Sequence, residues 1–426
     1  MRALIAALAL LAAPAAAQTA ADLHAAERER FGYGELRAGA DGNNPDALNA
    51  ANYDEAEVGD LPLPPLFTAD AQRTPAGWPI RRAELARLVE DNWTGRIPEN
   101  VASFRLVWRK EVVARSSDRT VEQWIGQVVA PDGAMGPTVD ATITFPPGKG
   151  HAPALISYSY IWPGGRVPDF GGAPPPDAVS QALRHGFAYV EYRPQLLQPD
   201  TAATMADGII GLARWPRAEH DWGALRAWAW GASRLREELA HDPRIAAKHI
   251  SLTGHSRFGK AVLVAAAFDP QFADAHVSSS GAGGAKIMRR DFGERWENLV
   301  GSGEFHWLTP AAMRYAQAGH SVAELPVDAH MLIALRAPHP LLVTSGRADK
   351  GDAWVDPRGM WLATMAARPA WALYGSGTPD GAMPPPLGSA DEDFPLGWYQ
   401  HDQGHVPWPA YEAFYRHEAR FAGTGR

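Results

Sequence analysis

The segment Gly254-His255-Ser256-Arg257-Phe258-Gly259-Lys260 holds the residues best suited to chemistry. A serine hydroxyl can attack an ester if a turn exposes it and a neighbouring base takes its proton. The residues before it, "HISLTG", read as a short buried strand, and those after it, "RFGKAVLVAAAF", as a helix. A strand-to-helix turn of this kind is a nucleophile elbow, which presents Oγ at the C-terminal edge of a parallel sheet. The spacing G-x-S-x-x-G-K is neither G-x-S-x-G nor a Walker loop, since Gly259 falls later than the hydrolase pattern expects. A plain helix N-cap is the other reading of Ser256.

A serine nucleophile needs a base, and the base needs an orienting carboxylate. In this fold the chain order is serine, acid, histidine. The C-terminal stretch "GWYQHDQGHVPWPAYEAFYRHEAR" offers His401, His405 and His417. His405 follows Gly404 and precedes the last helical pattern, which suits a catalytic loop better than His401. His417 lies inside that pattern and is expected on the surface. The acid is expected after the strand "HPLLVTSG", where "GRADKGDAWVDPRG" offers Asp349 and Asp352. Asp356, before Pro357, reads as the cap of the next helix.

The elements that must position these residues follow from periodicity. From residue 151 onward "APALISYSY", "FAYVEYRP", "HISLTGHS", "DAHVSSS", "HPLLVTSGRAD" and "AWALYGSG" read as short apolar strands. Helical runs such as "DWGALRAWAWGASRLREELAHDP" lie between them. That alternation predicts a mostly parallel sheet covered on both faces, a three-layer αβα sandwich. Ahead of it, "FRLVWRKEVVAR", "VEQWIGQVVAP" and "VDATITFPP" alternate as antiparallel strands at one sheet edge. Residues 79–100 predict one helix stopped near Gly95 and Pro98, and residues 39–70 show neither period and predict irregular chain over the core. The expected division is a signal peptide over 1–17, an N-terminal extension over 18–100 and a catalytic domain over 101–426.

The first 17 residues have one arginine, a short apolar run and Ala15-Ala16-Ala17, the pattern of a secretory signal cleaved near Ala17. The run is shorter than the roughly 18 residues of a membrane span, so the product is expected in the periplasm or outside the cell. The chain has no cysteine, so a large core rather than disulfides must hold it. Its net charge of −8 argues against nucleic acid or an anionic membrane as partner. No histidine cluster has metal-ligand spacing, and no cofactor is implied. The 16 tryptophans suit core packing first and sugar stacking second.

With these residues placed, the chain resembles the glucuronoyl esterases, carbohydrate esterase family 15, which have an α/β-hydrolase fold. The resemblance rests on "DWGALRAWAWG", "SLTGHSRFGKAVLVAAAFDPQF", "DFGERWENL", "DAWVDPRG" and "GWYQHDQGHV", and covers most of residues 50–420. It implies a monomeric serine esterase for esters of 4-O-methyl-glucuronic acid, as in lignin–glucuronoxylan linkages. By resemblance Arg257 supplies an oxyanion donor, Lys260 and Glu304 contact sugar hydroxyls, and Trp354 packs on the sugar. Many members carry the acid as a glutamate in a segment like "ESGxGG"; here "SSSGAGG" places Ser279 there. The acid must then come from the later strand. Alignment on "DxWxDP" gives Asp352, the preferred acid, whereas distance from the strand end gives Asp349 as the alternative. An esterase for acetylated xylan, and a carbohydrate-binding relative that has lost its acid, are the competing readings.

Overall fold

The computed structural model describes residues 18–59, 62–148, 150–161, 176–376, 387–388 and 394–422. The expected signal peptide lies outside these residues. Nine strands form one sheet: β1 (Arg105–Arg115), β2 (Thr120–Val129), β3 (Met135–Phe145), β4 (Ala152–Tyr158), β5 (Ala188–Tyr192), β6 (Ile245–His255), β7 (Ala275–Ser278), β8 (Leu341–Ser345) and β9 (Leu396–Gln400). Their spatial order is β1-β2-β3-β5-β4-β6-β7-β8-β9. The first three strands run antiparallel, and from β5 to β9 every pairing is parallel. This is the α/β-hydrolase sheet, with an antiparallel meander at one edge.

Successive side chains of a strand face opposite ways, and two apolar clusters record this. Leu155, Tyr189 and Leu342 join Ala182, Phe187, Phe414 and Tyr415 on one face. Their neighbours Ala154, Ile156, Val190, Leu341 and Val343 join the larger cluster on the other, with the helices Ala224–Ala240, Arg257–Phe268 and Pro357–Ala367. The sheet is therefore covered on both sides, and for that reason β7 and β8 are buried at every position, polar residues included. Such a sheet exposes little but its edges, so reactive groups collect where the strands end.

Two elements depart from the expectations. "AWALYGSG" is not a strand: Pro369–Ala372 is a short helix continued by a turn. Its apolar residues Ala370 and Trp371 are buried as a helix end, which a short apolar run does not distinguish from a strand. The last strand is instead "LGWYQ", Leu396–Gln400, paired along its length with β8. His417 is not on the surface either. It is fully buried, and its Nδ1 lies 2.7 Å from Asp274 Oδ2. The helix Tyr411–Phe421 turns that side inward onto the start of β7, and the paired carboxylate holds the imidazole there.

The chain ahead of the sheet is tied to it by polar contacts. The helix Ala20–Phe31, which its composition did not announce, opens with a reciprocal Thr19–Asp22 cap and closes at Gly32 in the left-handed region. Its Glu27 accepts two bonds from Arg217, at 3.0 and 2.7 Å, and Arg217 has no exposed surface. The irregular chain that follows exchanges hydrogen bonds between Ala40 and Asn298, and between Asn52 and the backbone of Asp291 and Gly293. The helix expected over 79–100 runs from Trp78 to Val89, then widens into one π turn over Glu90–Thr94 before Gly95 ends it. Removing one partner of a buried ion pair leaves the other desolvated and costs about 3–5 kcal/mol. Glu27→Ala should therefore lower the unfolding free energy in urea by about that amount. A change below ~1 kcal/mol would show that the first helix is not part of the folding unit.

Candidate active site

Ser256 occupies the turn between β6 and the helix Arg257–Phe268, with φ 57° and ψ −128°. This backbone is unfavourable for a residue with a side chain. It also differs from that of a capping serine, which sits in the extended region and bonds the first turn. The Ser256 side chain makes no such bond. Gly254 and Gly259 permit the turn: a β-carbon on Gly254 would strike the Phe258 carbonyl, and one on Gly259 would crowd the Ser278 carbonyl. The Ser256 amide bonds to that same carbonyl at 2.9 Å, which anchors the elbow to the end of β7.

Asp352 and His405 are brought together. His405 Nδ1 lies 2.6 Å from Asp352 Oδ1, and Asp352 has no exposed surface. A carboxylate only accepts, so Nδ1 carries the hydrogen and Nε2 is left with a lone pair. The other carboxylate oxygen accepts from the Gly346 amide at 2.6 Å and from Ser279 Oγ at 2.8 Å. Two loops close on each other to make this contact: Arg347 N bonds Gln403 O at 2.7 Å, and a β-carbon on Gly346 or Gly404 would collide with the facing backbone. The His405 ring stands 4.3 Å from that of His255, the residue preceding Ser256. Asp349 lies on the surface, 2.5–2.7 Å from Arg347, and makes no bond to His405. His401 is buried, and its Nδ1 accepts the Gln403 amide at 3.3 Å within its own turn.

Arg257 and Lys260 leave the first turn of the helix beside Ser256, and each has a buried carboxylate partner. Arg257 Nη1 donates to Asp200 Oδ2 at 2.8 Å, while 41% of its side chain remains exposed. Lys260, only 4% exposed, donates to Glu294 at 2.9 Å and to the Ser280 carbonyl at 2.8 Å, which uses two of its three protons. The Trp307 ring lies beneath both cations, its centroid 5.2 Å from Arg257 and 5.7 Å from Lys260. Tyr160 completes the wall: its hydroxyl donates to the His255 carbonyl at 3.0 Å. Cations at a helix N-terminus oppose its dipole, and these carboxylates offset that. Asp200, Glu294, Ser280 and Tyr160 escaped the sequence reading, since each is a common residue type reached from a distant segment.

Glu304 differs from the other carboxylates. Its Oε2 is buried without a hydrogen-bond partner. Burial, reinforced by the Glu294 charge and opposed by Lys260 and Arg257, pushes its pKa up to about 7. Trp354 is half-buried: its ring faces Gly42 of the N-terminal segment, where a β-carbon would collide with it, and its carbonyl accepts the Glu294 amide at 2.8 Å. The structure thus groups Ser256, Arg257, Lys260 and Glu304 in one electrostatic neighbourhood, and connects Trp354 to it through Glu294. Among the described residues, no group of three or more histidines and carboxylates could hold a metal ion.

A serine on a strained strand-to-helix turn, and an Asp–His pair on the loops two and three strands along, define an α/β-hydrolase. Within that class, residues 129–375, more than half of the chain, match the family described as "Glucuronyl esterase, fungi". The chain belongs to the glucuronyl esterase family. A solved glucuronoyl esterase of carbohydrate esterase family 15 from Teredinibacter turnerae T7901 is 36% identical, with a TM-score of 0.85 over 94% of this chain and 99% of that one. A carbohydrate esterase from an unknown prokaryotic organism is 36% identical over 199 residues, 46% of this chain and 44% of the relative. A 4-O-methyl-glucuronoyl methylesterase of Cerrena unicolor is 27% identical over 343 residues, 77% of this chain and 64% of the relative. The chain thus spans less than two thirds of either of these two relatives.

The raised pKa of Glu304 has a consequence for stability. Below pH 4.5 the residue is protonated whether folded or unfolded, and contributes nothing. Between 4.5 and about 7 the unfolded chain releases the proton that the fold retains, so stability falls as pH rises, levelling above about 7. Glu304→Gln removes this loss. The Tm advantage of the Gln variant should grow from pH 4.5 to 7 and then stay constant; an advantage independent of pH would contradict the burial of the carboxylate.

Proposed function

We propose that this chain hydrolyses esters of 4-O-methyl-glucuronic acid, of the kind that join glucuronoxylan to lignin alcohols. The observation that carries the reading is the polar wall beside the elbow. A third Lys260 proton and the unpartnered Glu304 oxygen stand ready for ligand hydroxyls, which a simple acyl ester does not possess. The names of the relatives point the same way. In this reading Ser256 Oγ attacks the uronoyl carbonyl carbon while His405 Nε2 takes its proton. Asp352 keeps His405 in the tautomer that leaves Nε2 free to accept, and stabilises the imidazolium that forms. The Arg257 amide and guanidinium receive the oxyanion, a role worth of order 3 kcal/mol for one donor. Collapse of the tetrahedral intermediate expels the alcohol, protonated by His405. Water activated by the same imidazole then releases glucuronic acid and restores Ser256. Export through the N-terminal signal segment, with cleavage near Ala17, belongs to the same reading, as does action by the monomer.

One set of assays tests it: turnover of a benzyl glucuronate ester beside that of 4-nitrophenyl acetate. Asp352→Asn should lower kcat on both esters by about 10²–10⁴, because an amide cannot stabilise the imidazolium. Asp349→Asn should change either by less than about 2-fold, as expected of an exposed pair. A reversal of these two effects would assign the acid to Asp349 instead.

Charged donors to hydroxyls are worth roughly 1.5–3 kcal/mol. Lys260→Ala should therefore cut kcat/KM on the glucuronate ester by about 10- to 100-fold. It should spare the acetate, which carries no sugar. Equal losses on both esters would mean that Lys260 serves the elbow through Glu294 and Ser280, and would favour a general esterase.

A further inference from the structure

The long side chain of Arg257 has much rotamer freedom to lose, and its backbone at the helix start does not fix where the guanidinium goes. Something must hold it if it is to be ready before charge develops. Asp200 stands at that place. Its Oδ2 accepts from Arg257 Nη1, while Oδ1 lies 2.7 Å from Trp307 Nε1 and 3.2 Å from His306 Nε2. Both ring nitrogens must donate, since the carboxylate only accepts. His306 therefore carries its hydrogen on Nε2, which accords with a buried Nδ1 that has no partner. The rings of His306 and Trp307 are themselves almost without exposed surface, so the carboxylate is fixed from behind by rigid groups.

The loop bearing Asp200 is equally constrained. Two residues earlier, Gln198 is fully buried, donates to the Met205 carbonyl at 3.1 Å and accepts the Ile210 amide at 3.0 Å. Its carbonyl accepts Trp228 Nε1 at 2.8 Å. Gly208 makes room for that side chain, because a β-carbon there would collide with the Gln198 amide. A short loop is thus pinned on three sides, and the one carboxylate it presents to the site meets Arg257. A buried carboxylate so placed also lowers the positive potential at the guanidinium, which by itself would weaken anion binding. Its benefit must then lie in orientation.

We infer that Asp200 is a positioning residue: with Trp307 and His306 behind it, it holds the Arg257 guanidinium toward the carbon attacked by Ser256. The inference rests on the proposed oxyanion role of Arg257, and a double-mutant cycle separates the two. Asp200→Asn keeps the size of the side chain and an acceptor for the ring N–H groups, but can turn a donor toward Arg257. On 4-nitrophenyl acetate, which needs no sugar contact, Arg257→Ala should lower kcat by about 10²–10³. Asp200→Asn should lower it by about 10- to 100-fold, with KM changed less than about 3-fold, because an interaction made in the transition state is lost. In the Arg257→Ala background, Asp200→Asn should cost less than about 2-fold more. Trp307→Phe, which removes one N–H and keeps a ring, should give a smaller loss that likewise vanishes in that background, and serves if the Asn variant does not fold. Losses that multiply across the cycle, or a harmless Asp200→Asn beside a damaging Arg257→Ala, overturn the positioning role. A harmless Arg257→Ala overturns the oxyanion assignment on which it rests.

Discussion

A carboxylate with no exposed surface must find its hydrogen-bond donors inside the protein, and the surroundings of Asp352 are arranged by that requirement. Its three donors come from three places: Ser279 after β7, Gly346 after β8 and His405 after β9. Satisfying one buried group therefore fixes the ends of three adjacent strands relative to one another. An unpaired buried charge is costly enough that a displacement of any of these loops is opposed by the loss of a charge-assisted bond. The strained Ser256 turn hangs from the same frame, because its amide is bonded to the last residue of β7. Strain at one residue persists only where its surroundings over-determine it, and here two neighbouring strands do so.

The charges beside the elbow form a second, separable layer. Two cations in one helical turn would repel each other and the helix dipole, yet each is matched: Arg257 with Asp200, Lys260 with Glu294. Glu304 is the unmatched member, and the pairing of the others explains why. With both cations already engaged, their attraction does not outweigh its burial. A hydroxyl-rich ligand would meet a carboxyl group able to donate or accept near neutral pH. The proposed preference for a uronic ester over a bare acyl ester is thus a property of Lys260 and Glu304 and not of the reacting groups.

Much of this was legible in the sequence where a local pattern carries the meaning. The G-x-S-x-x-G-K turn, the strand before it and the helix after it are contiguous, and the glycines mark close backbone approaches directly. The order serine, acid, histidine narrowed the partners to few residues, and a loop glycine favoured His405. Asp349 and Asp352 differ by three positions, and what separates them is a turn that buries one and exposes the other, which composition does not encode. The strand "LGWYQ" is five residues long and no more apolar than "AWALYGSG", whose helical end is decided by its packing. His417 looked solvent-facing because the acid that buries it, Asp274, is 143 residues away. Asp200 escaped for the same reason, lying 57 residues before Arg257.

The bond between Ser279 and Asp352 limits what can stand in the serine's place. Ser279, just past β7, donates to one Asp352 oxygen while His405 binds the other. A glutamate at Ser279 alongside Asp352 would place two carboxyl groups in contact away from water, and such a pair shares a proton, so that one is neutral while the other serves. Loss of Asp352 with the serine in place would leave His405 without its carboxylate partner.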